Sequence, residues 1–177
     1  MAALNMAAVI ESHNEHNKLS PMTLIRELKE ADFEQWLGLY QVYAEHYRVA
    51  LTETGIQTTW EWLMDSSHPL QGLVAVQEAA LVGMAHFRAM PSRPLRGQNI
   101  GFLDDLIVHP SARGGGVGQL LLGELQRIGL QEGWGLFRWI TRDNNYRARK
   151  LYDKVASKSD WNVYEMSCNN HIDRPAV

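Results

Sequence analysis

Residues 108–118, VHPSARGGGVG, carry three consecutive glycines and a fourth two positions on, between an apolar run and a helically patterned one. Glycine costs backbone entropy near a helix start and is kept there only where the backbone itself is needed. A strand that hands over to a helix through such a turn can converge several free amides on one anion. The helix dipole adds a favourable field of roughly 0.3 to 1 kcal/mol, and Arg113 supplies a charged donor. The turn therefore reads as a phosphate cradle. It matches neither of two familiar phosphate loops. Gln119 and Leu120 stand where a Walker loop needs Lys and Ser or Thr, and Gln119 also stands where a dinucleotide fingerprint needs its third glycine.

Apolar spacing predicts the elements around this turn. A strand over 22–28 precedes a helix over 29–47, in which Phe33, Trp36, Leu37, Tyr40, Tyr43, Ala44 and Tyr47 share one side. A shorter helix over 56–65 is followed by a hairpin, strands 72–78 and 80–90, turning near Glu78 and Ala79. A loop with two prolines leads into a strand over 100–109 that Pro110 closes. The helix after the glycines turns Val117, Leu120, Leu121, Leu125 and Ile128 inward. A strand over 135–141, a helix over 145–155 burying Ala148, Leu151, Tyr152 and Val155, and a last strand over 161–166 complete the order. This is an α/β chain with a mixed, mostly antiparallel central sheet flanked by helices. Residues 1–21 have no sustained period and read as a flexible tail, with 22–177 as a single domain. Trp134, Trp139 and Trp161 are expected in core and sheet contacts. Trp60 and Trp62, two apart on a helix, are expected on different faces.

The totals narrow the function classes. A chain of 177 residues, 45% hydrophobic, suits one domain with a sizeable core. A formal charge of -3 with interspersed signs argues against a nucleic-acid partner. One cysteine, Cys168, excludes an internal disulfide framework and a multi-cysteine metal cluster. The first 17 residues hold no Lys or Arg, and no apolar run approaches the roughly 20 residues that span a bilayer. A soluble, cytoplasmic protein without a membrane partner is the expectation.

Arg113-x-x-Gly116-x-Gly118, following LDDLIVHP and opening an amphipathic helix, resembles the acetyl-coenzyme A motif of the GCN5-related N-acetyltransferases (GNAT). Asn145-x-x-Ala148-x-x-Leu151-Tyr152 is similar to the asparagine-to-tyrosine signature on that family's next helix. Within the family, FLDDLIVHP and DNNYRARKLYDKV look most like the spermidine/spermine (diamine) acetyltransferases and the fungal HPA-type enzymes. Val155-Ala156-Ser157 stands where many members have Gly-Phe. The resemblance implies a GNAT-like fold with acetyl-CoA as cosubstrate at a splayed pair of strands, no metal, and a homodimer.

By that resemblance, the backbone of Arg113, Gly114, Gly115, Gly116, Val117 and Gly118 holds the pyrophosphate. The sheet edge at Leu106, Ile107 and Val108 pairs with the pantetheine arm. Asn145 contacts the coenzyme or caps its helix, and Tyr152 protonates the departing thiolate. Adjacent strand residues alternate in direction, so Asp104 and Asp105 are expected on opposite faces, with Asp104 reaching the amine. Tyr43 and Glu45 are candidates for the acceptor wall, because aromatic faces and a carboxylate can hold a cationic amine. His86 and His109 are weaker candidates. The expected reaction is direct acetyl transfer to a primary amine of a polyamine, diamine or amino acid. Alternatives are a protein lysine or N-terminal acetyltransferase, and a non-catalytic CoA-binding regulator.

Overall fold

The computed structural model describes residues 22–92 and 98–168; the expected tail, 1–21, lies outside them. The chain runs β1 (Thr23–Glu27), a 3₁₀ turn, α1 (Phe33–Tyr47), α2 (Glu53–Met64), β2 (Gln71–Gln77), β3 (Ala80–Ser92), β4 (Gln98–Val108), a second 3₁₀ turn, α3 (Val117–Gln131), β5 (Phe137–Trp139) and α4 (Tyr146–Val155). Helix α2 begins earlier than its apolar spacing suggests. Thr52 caps it by accepting from the Gly55 amide, a signal of side-chain chemistry and not of periodicity. The β2–β3 turn takes two residues, with Glu78 at φ 56°. Among the described residues, no helix is long and apolar enough to cross a membrane.

The sheet order is β1-β2-β3-β4-β5, antiparallel except for the parallel β4–β5 pair. One face packs Leu73, Ala75, Ala85, Phe87 and Leu103 against Val117, Leu121, Leu122 and Leu125 of α3. The other packs Val74, Met84 and Ile107 against Trp36 and Leu39 of α1, with Trp60 of α2 alongside. Each large side chain so buried contributes about 1.5–3 kcal/mol. Arg26 of β1 ties α1 down through a two-pronged pair with the buried Asp32, at 2.6 and 2.8 Å.

Strand β4 departs from simple alternation. Asp105 pairs with His86 but Leu103 pairs with Phe87, so Asp104 is an extra residue, a β-bulge. Arg88 Nε donates to both Asp104 carboxylate oxygens at 3.1 Å, and His86 Nδ1 lies 2.8 Å from Asp105 Oδ2. His86 and Arg88 are two apart on β3 and share a face, so their partners do too. The expectation that Asp104 and Asp105 oppose one another is corrected by this bulge. Both turn toward the α1 side.

The bulge also marks where β4 and β5 part. They pair only at Gly101–Phe137, Phe102–Arg138 and Leu103–Trp139, so β5 is shorter than its apolar run suggests. The pairing is made by close approach, since a Cβ on Gly101 would lie 2.3 Å from the Phe137 ring. Gly101→Ala is therefore expected to destabilise the protein by about 1–3 kcal/mol, read as a lowered urea midpoint. An unchanged midpoint would show that the ring can simply move aside.

Other differences concern which side chains are covered. On α3, Leu120, expected inward, is half-exposed, and the buried stripe runs instead through Val117, Leu121, Leu122 and Leu125. Val155 is exposed. Residues 161–168 form no strand, and Trp161, expected in the core, is 78% exposed. Their alternating pattern suits a strand, but no sheet edge among the described residues pairs with them. Trp134 packs on Phe87 and Phe137, and Trp139 on Tyr152, as expected. Trp60 lies against Phe33 and Trp36, whereas Trp62 is half-exposed and stacked on His68.

Candidate active site

Past Leu103 the free flank of β4 opens into a groove of about 390 Å³. Leu106, Ile107 and Val108 line one wall, Asn145, Ala148, Leu151 and Tyr152 another, and the glycine turn closes one end. Gly114 and Gly116 sit at φ 90° and 81°, conformations that L side chains rarely adopt. A Cβ on either would meet nothing within 4 Å. Gly116 is the N-cap of α3 and offers no side-chain acceptor, so the first-turn amides of that helix lack the usual cap. These donors suit an anion. Arg113 anchors the turn by donating from Nε to the Val108 carbonyl at 3.0 Å. Gly118 packs closely on α4, where a Cβ would approach Leu151 to 3.0 Å.

Helix α4 adds Arg147, Lys150 and Lys154 to the groove. His46, also in the lining, has its pKa lowered by burial and by the positive charges of Arg113 and Arg142. Asn145 both lines the groove and caps α4, accepting from the Ala148 amide while its Nδ2 donates to Thr141 Oγ1. Tyr152 is mostly enclosed. Burial, reinforced by Tyr47, pushes its hydroxyl up to about 12. The groove thus combines a donor-rich, cationic end with an apolar strand flank and a protonated phenol, features that fit a long thioester carrying a pyrophosphate.

The carboxylates form a second cluster on the α1 side, outside the groove lining. His86 is 1% exposed and sits between two partners. The Trp36 indole N–H donates to its Nε2 at 2.9 Å, so the ring proton resides on Nδ1 and is donated to Asp105. The Tyr43 hydroxyl is turned toward the same carboxylate, and its pKa is raised by burial and by that charge. Burial pushes Asp105 upward, but His86 and Tyr43 outweigh it and hold the carboxyl below its usual range. Asp104 moves the other way. Burial raises it, Asp105 adds to the rise, and the opposing pull of Arg88 does not cancel them.

Aromatic contacts join the two clusters. The Tyr43 and Tyr47 rings are 4.8 Å apart, and Tyr47 lines the groove and adds to the upward shift of Tyr152. Arg142 donates to the Tyr47 carbonyl at 2.7 Å and lies over its ring, fixing the end of α1. Glu45 is exposed and is not brought to this cluster. His109 caps the second 3₁₀ turn through the Ser111 amide and hydroxyl. Sequence reasoning missed Arg88, and gave His86 no partner. The alternation Met84, His86, Arg88 along β3 places all three on one face, a signal that was available.

A model of the Acetyltransferase (GNAT) family matches residues 36–156. The D-amino-acid N-acetyltransferase HPA3 of Saccharomyces cerevisiae is 26% identical over 145 residues, covering 80% of this chain and 89% of the yeast protein. The ribosomal-protein-alanine N-acetyltransferase of Brucella melitensis superposes with a TM-score of 0.70 at 24% identity, covering 82% of this chain and 99% of that one. The aminoglycoside N-acetyltransferase AAC(6')-Iy, solved with CoA, superposes with a TM-score of 0.73 at 18% identity, covering 84% and 97%. These superpositions share the mixed sheet with its flanking helices.

Proposed function

The chain belongs to the GNAT acetyltransferase family, and from that premise we propose that it transfers acetyl from acetyl-CoA directly to the primary amine of a small molecule. A polyamine, a diamine and an amino acid are the acceptor types, the last being what the yeast relative's name denotes. One observation carries the reading: the free flank of β4 runs between an uncapped glycine turn and a pair of carboxylates of opposed proton affinity. Such a pair divides the work of holding a cation from that of removing its proton. The fungal and diamine branches also commonly pair subunits, and exposed Trp161, Val163, Tyr164 and Met166 support a homodimer.

When bound, acetyl-CoA supplies an activated thioester, and no metal is called for. The amides of residues 114–118 and the Arg113 guanidinium hold the pyrophosphate, and the Leu106–Val108 backbone pairs with the pantetheine amides. Asn145 orients the start of α4 beside them. Asp105, kept ionised by His86, attracts the acceptor ammonium together with the face of Tyr43. Asp104 accepts the ammonium proton, directly or through a water, leaving a neutral nitrogen that forms the N–C bond. As the C–S bond breaks, the Tyr152 hydroxyl would give its proton to the sulfur and recover one from solvent, while both protons lost by the nitrogen would pass to solvent through Asp104. The sum is ammonium plus thioester giving amide, free thiol and one released proton.

The test is release of free thiol from acetyl-CoA across polyamines, diamines, amino acids of both hands and a lysine-rich peptide. A small-molecule acceptor with saturable turnover is expected. Silence on small amines with turnover of the peptide would replace the reading by a protein acetyltransferase. Cofactor binding without any turnover would replace it by a regulator. Asp104→Asn is expected to lower kcat/KM by about 10- to 100-fold. Because Asp104 must be ionised to accept a proton, the wild-type rate should fall as pH drops through its raised pKa. The acid limb of the profile then lies above the ordinary aspartate range and vanishes in Asp104→Asn. A limb unchanged in the variant would assign it elsewhere.

A further inference from the structure

The groove and the carboxylate pair leave one charged group unused. Arg88 projects from β3 on the same face as His86, and its guanidinium lies over the Phe102 ring, 5.0 Å from the centroid. It meets Asp104 through Nε alone, which donates to both oxygens at 3.1 Å. Among the described residues, neither Nη1 nor Nη2 donates a hydrogen bond, and the side chain is 38% exposed. A planar cation stacked on a ring, with one edge bonded and two nitrogens without a protein partner on a part-exposed side chain, is a preorganised site for a second carboxylate.

Resting on the acetyltransferase reading above, we propose that Arg88 selects the acceptor, its open Nη edge binding the carboxylate of an α-amino acid whose ammonium lies against Asp104. The match is one of charge and spacing. An α-amino acid carries opposite charges on groups separated by one carbon, and Arg88 and Asp104 present the opposite charges in direct contact. The zwitterion therefore completes a ring of four alternating charges without breaking the existing pair. A polyamine meets the same guanidinium as a like charge and gains nothing from it. Arg88 thus turns a general amine site into one that rejects amines lacking a neighbouring carboxylate.

The experiment compares kcat/KM for alanine with alaninamide, and phenylalanine with phenethylamine, in the wild type, Arg88→Gln and Arg88→Lys. The acid-to-amine ratio is expected to fall about 10- to 100-fold in Arg88→Gln, chiefly through the KM of the acid, with partial recovery in Arg88→Lys. Acetyl-CoA binding, followed by calorimetry, reports that the fold persists. A parallel fall for acids and amines, or an unchanged ratio, would overturn the proposal and leave Arg88 a structural partner of Asp104. If the wild type acetylates neither these amines nor any small amine of the panel above, the reaction assigned above fails. The same calorimetry, with N-acetylalanine added to the CoA-loaded protein, then decides Arg88 separately. Binding lost in Arg88→Gln supports the carboxylate site, and absent or unaffected binding overturns it.

Discussion

Replacing Tyr152 by phenylalanine is expected to lower kcat by about 100- to 1,000-fold while acetyl-CoA still binds, because the change removes one oxygen and leaves the ring packed on Trp139. The hydroxyl is enclosed and its pKa is pushed up to about 12, so it stays protonated across the working range and can give a proton to a departing thiolate. Two signs distinguish this from a packing defect. The thermal midpoint of the variant should stay near that of the wild type, and a pre-steady-state trace should show slow thiol release from a fully bound cofactor. A kcat within a few-fold of the wild type would remove Tyr152 from the chemistry.

Gly116→Val is expected to raise the KM for acetyl-CoA by about 300-fold. A β-branched side chain at φ 81° strains the backbone by about 1–3 kcal/mol, and a turn that relaxes to relieve it no longer aims its amides at one anion. Each hydrogen bond to a charged group lost in this way costs roughly 1.5 kcal/mol, and every 1.4 kcal/mol is tenfold in affinity. The site is exposed and a Cβ meets no neighbour, so loss of folding is not the expected outcome. Calorimetric titration with CoA gives the comparison. Unaltered binding would mean that the phosphates are held by Arg113, Arg147, Lys150 and Lys154 instead of by the turn.

The elements legible in the sequence were those with long apolar periods. α1, α3 and α4, the β2–β3 hairpin and the glycine turn lie where spacing and turn chemistry put them, because each buries a face against the sheet or needs a special backbone angle. The boundaries of α2 and β5 were less legible. One is set by a threonine cap and the other by a ring seated on a glycine, and neither leaves a periodic trace. The last strand was misread for a different reason. Residues 161–168 alternate as a strand does, but a strand needs an edge, and alternation says nothing of where one is.

At the site, the turn, Asn145 and Tyr152 were visible because they stand in local motifs, and the groove brings them together. The carboxylate cluster is assembled across strands, so its partners could not be read from local spacing. Trp36 and His86 are 50 residues apart, and His86 and Asp105 are 19 apart. Even so, FLDDL carried a warning. Leu103 and Leu106 are both apolar, three apart, around two charges, and strict alternation cannot put both leucines inward. One residue had to be extra.

That extra residue gives β4 something like a reading frame. Leu103 before it and Leu106 and Val108 after it all face α3, while Ile107 faces α1, so the two halves of the strand run half a period out of phase. Deleting either aspartate would restore plain alternation and leave Leu106 and Val108 facing α3, so the strand behind it would keep its phase. What would go is one of the two carboxylates, because a regular strand has a single place on the α1 side between Leu103 and Leu106. The bulge is how a strand that can offer one acid to that face offers two, each met by its own basic partner from β3.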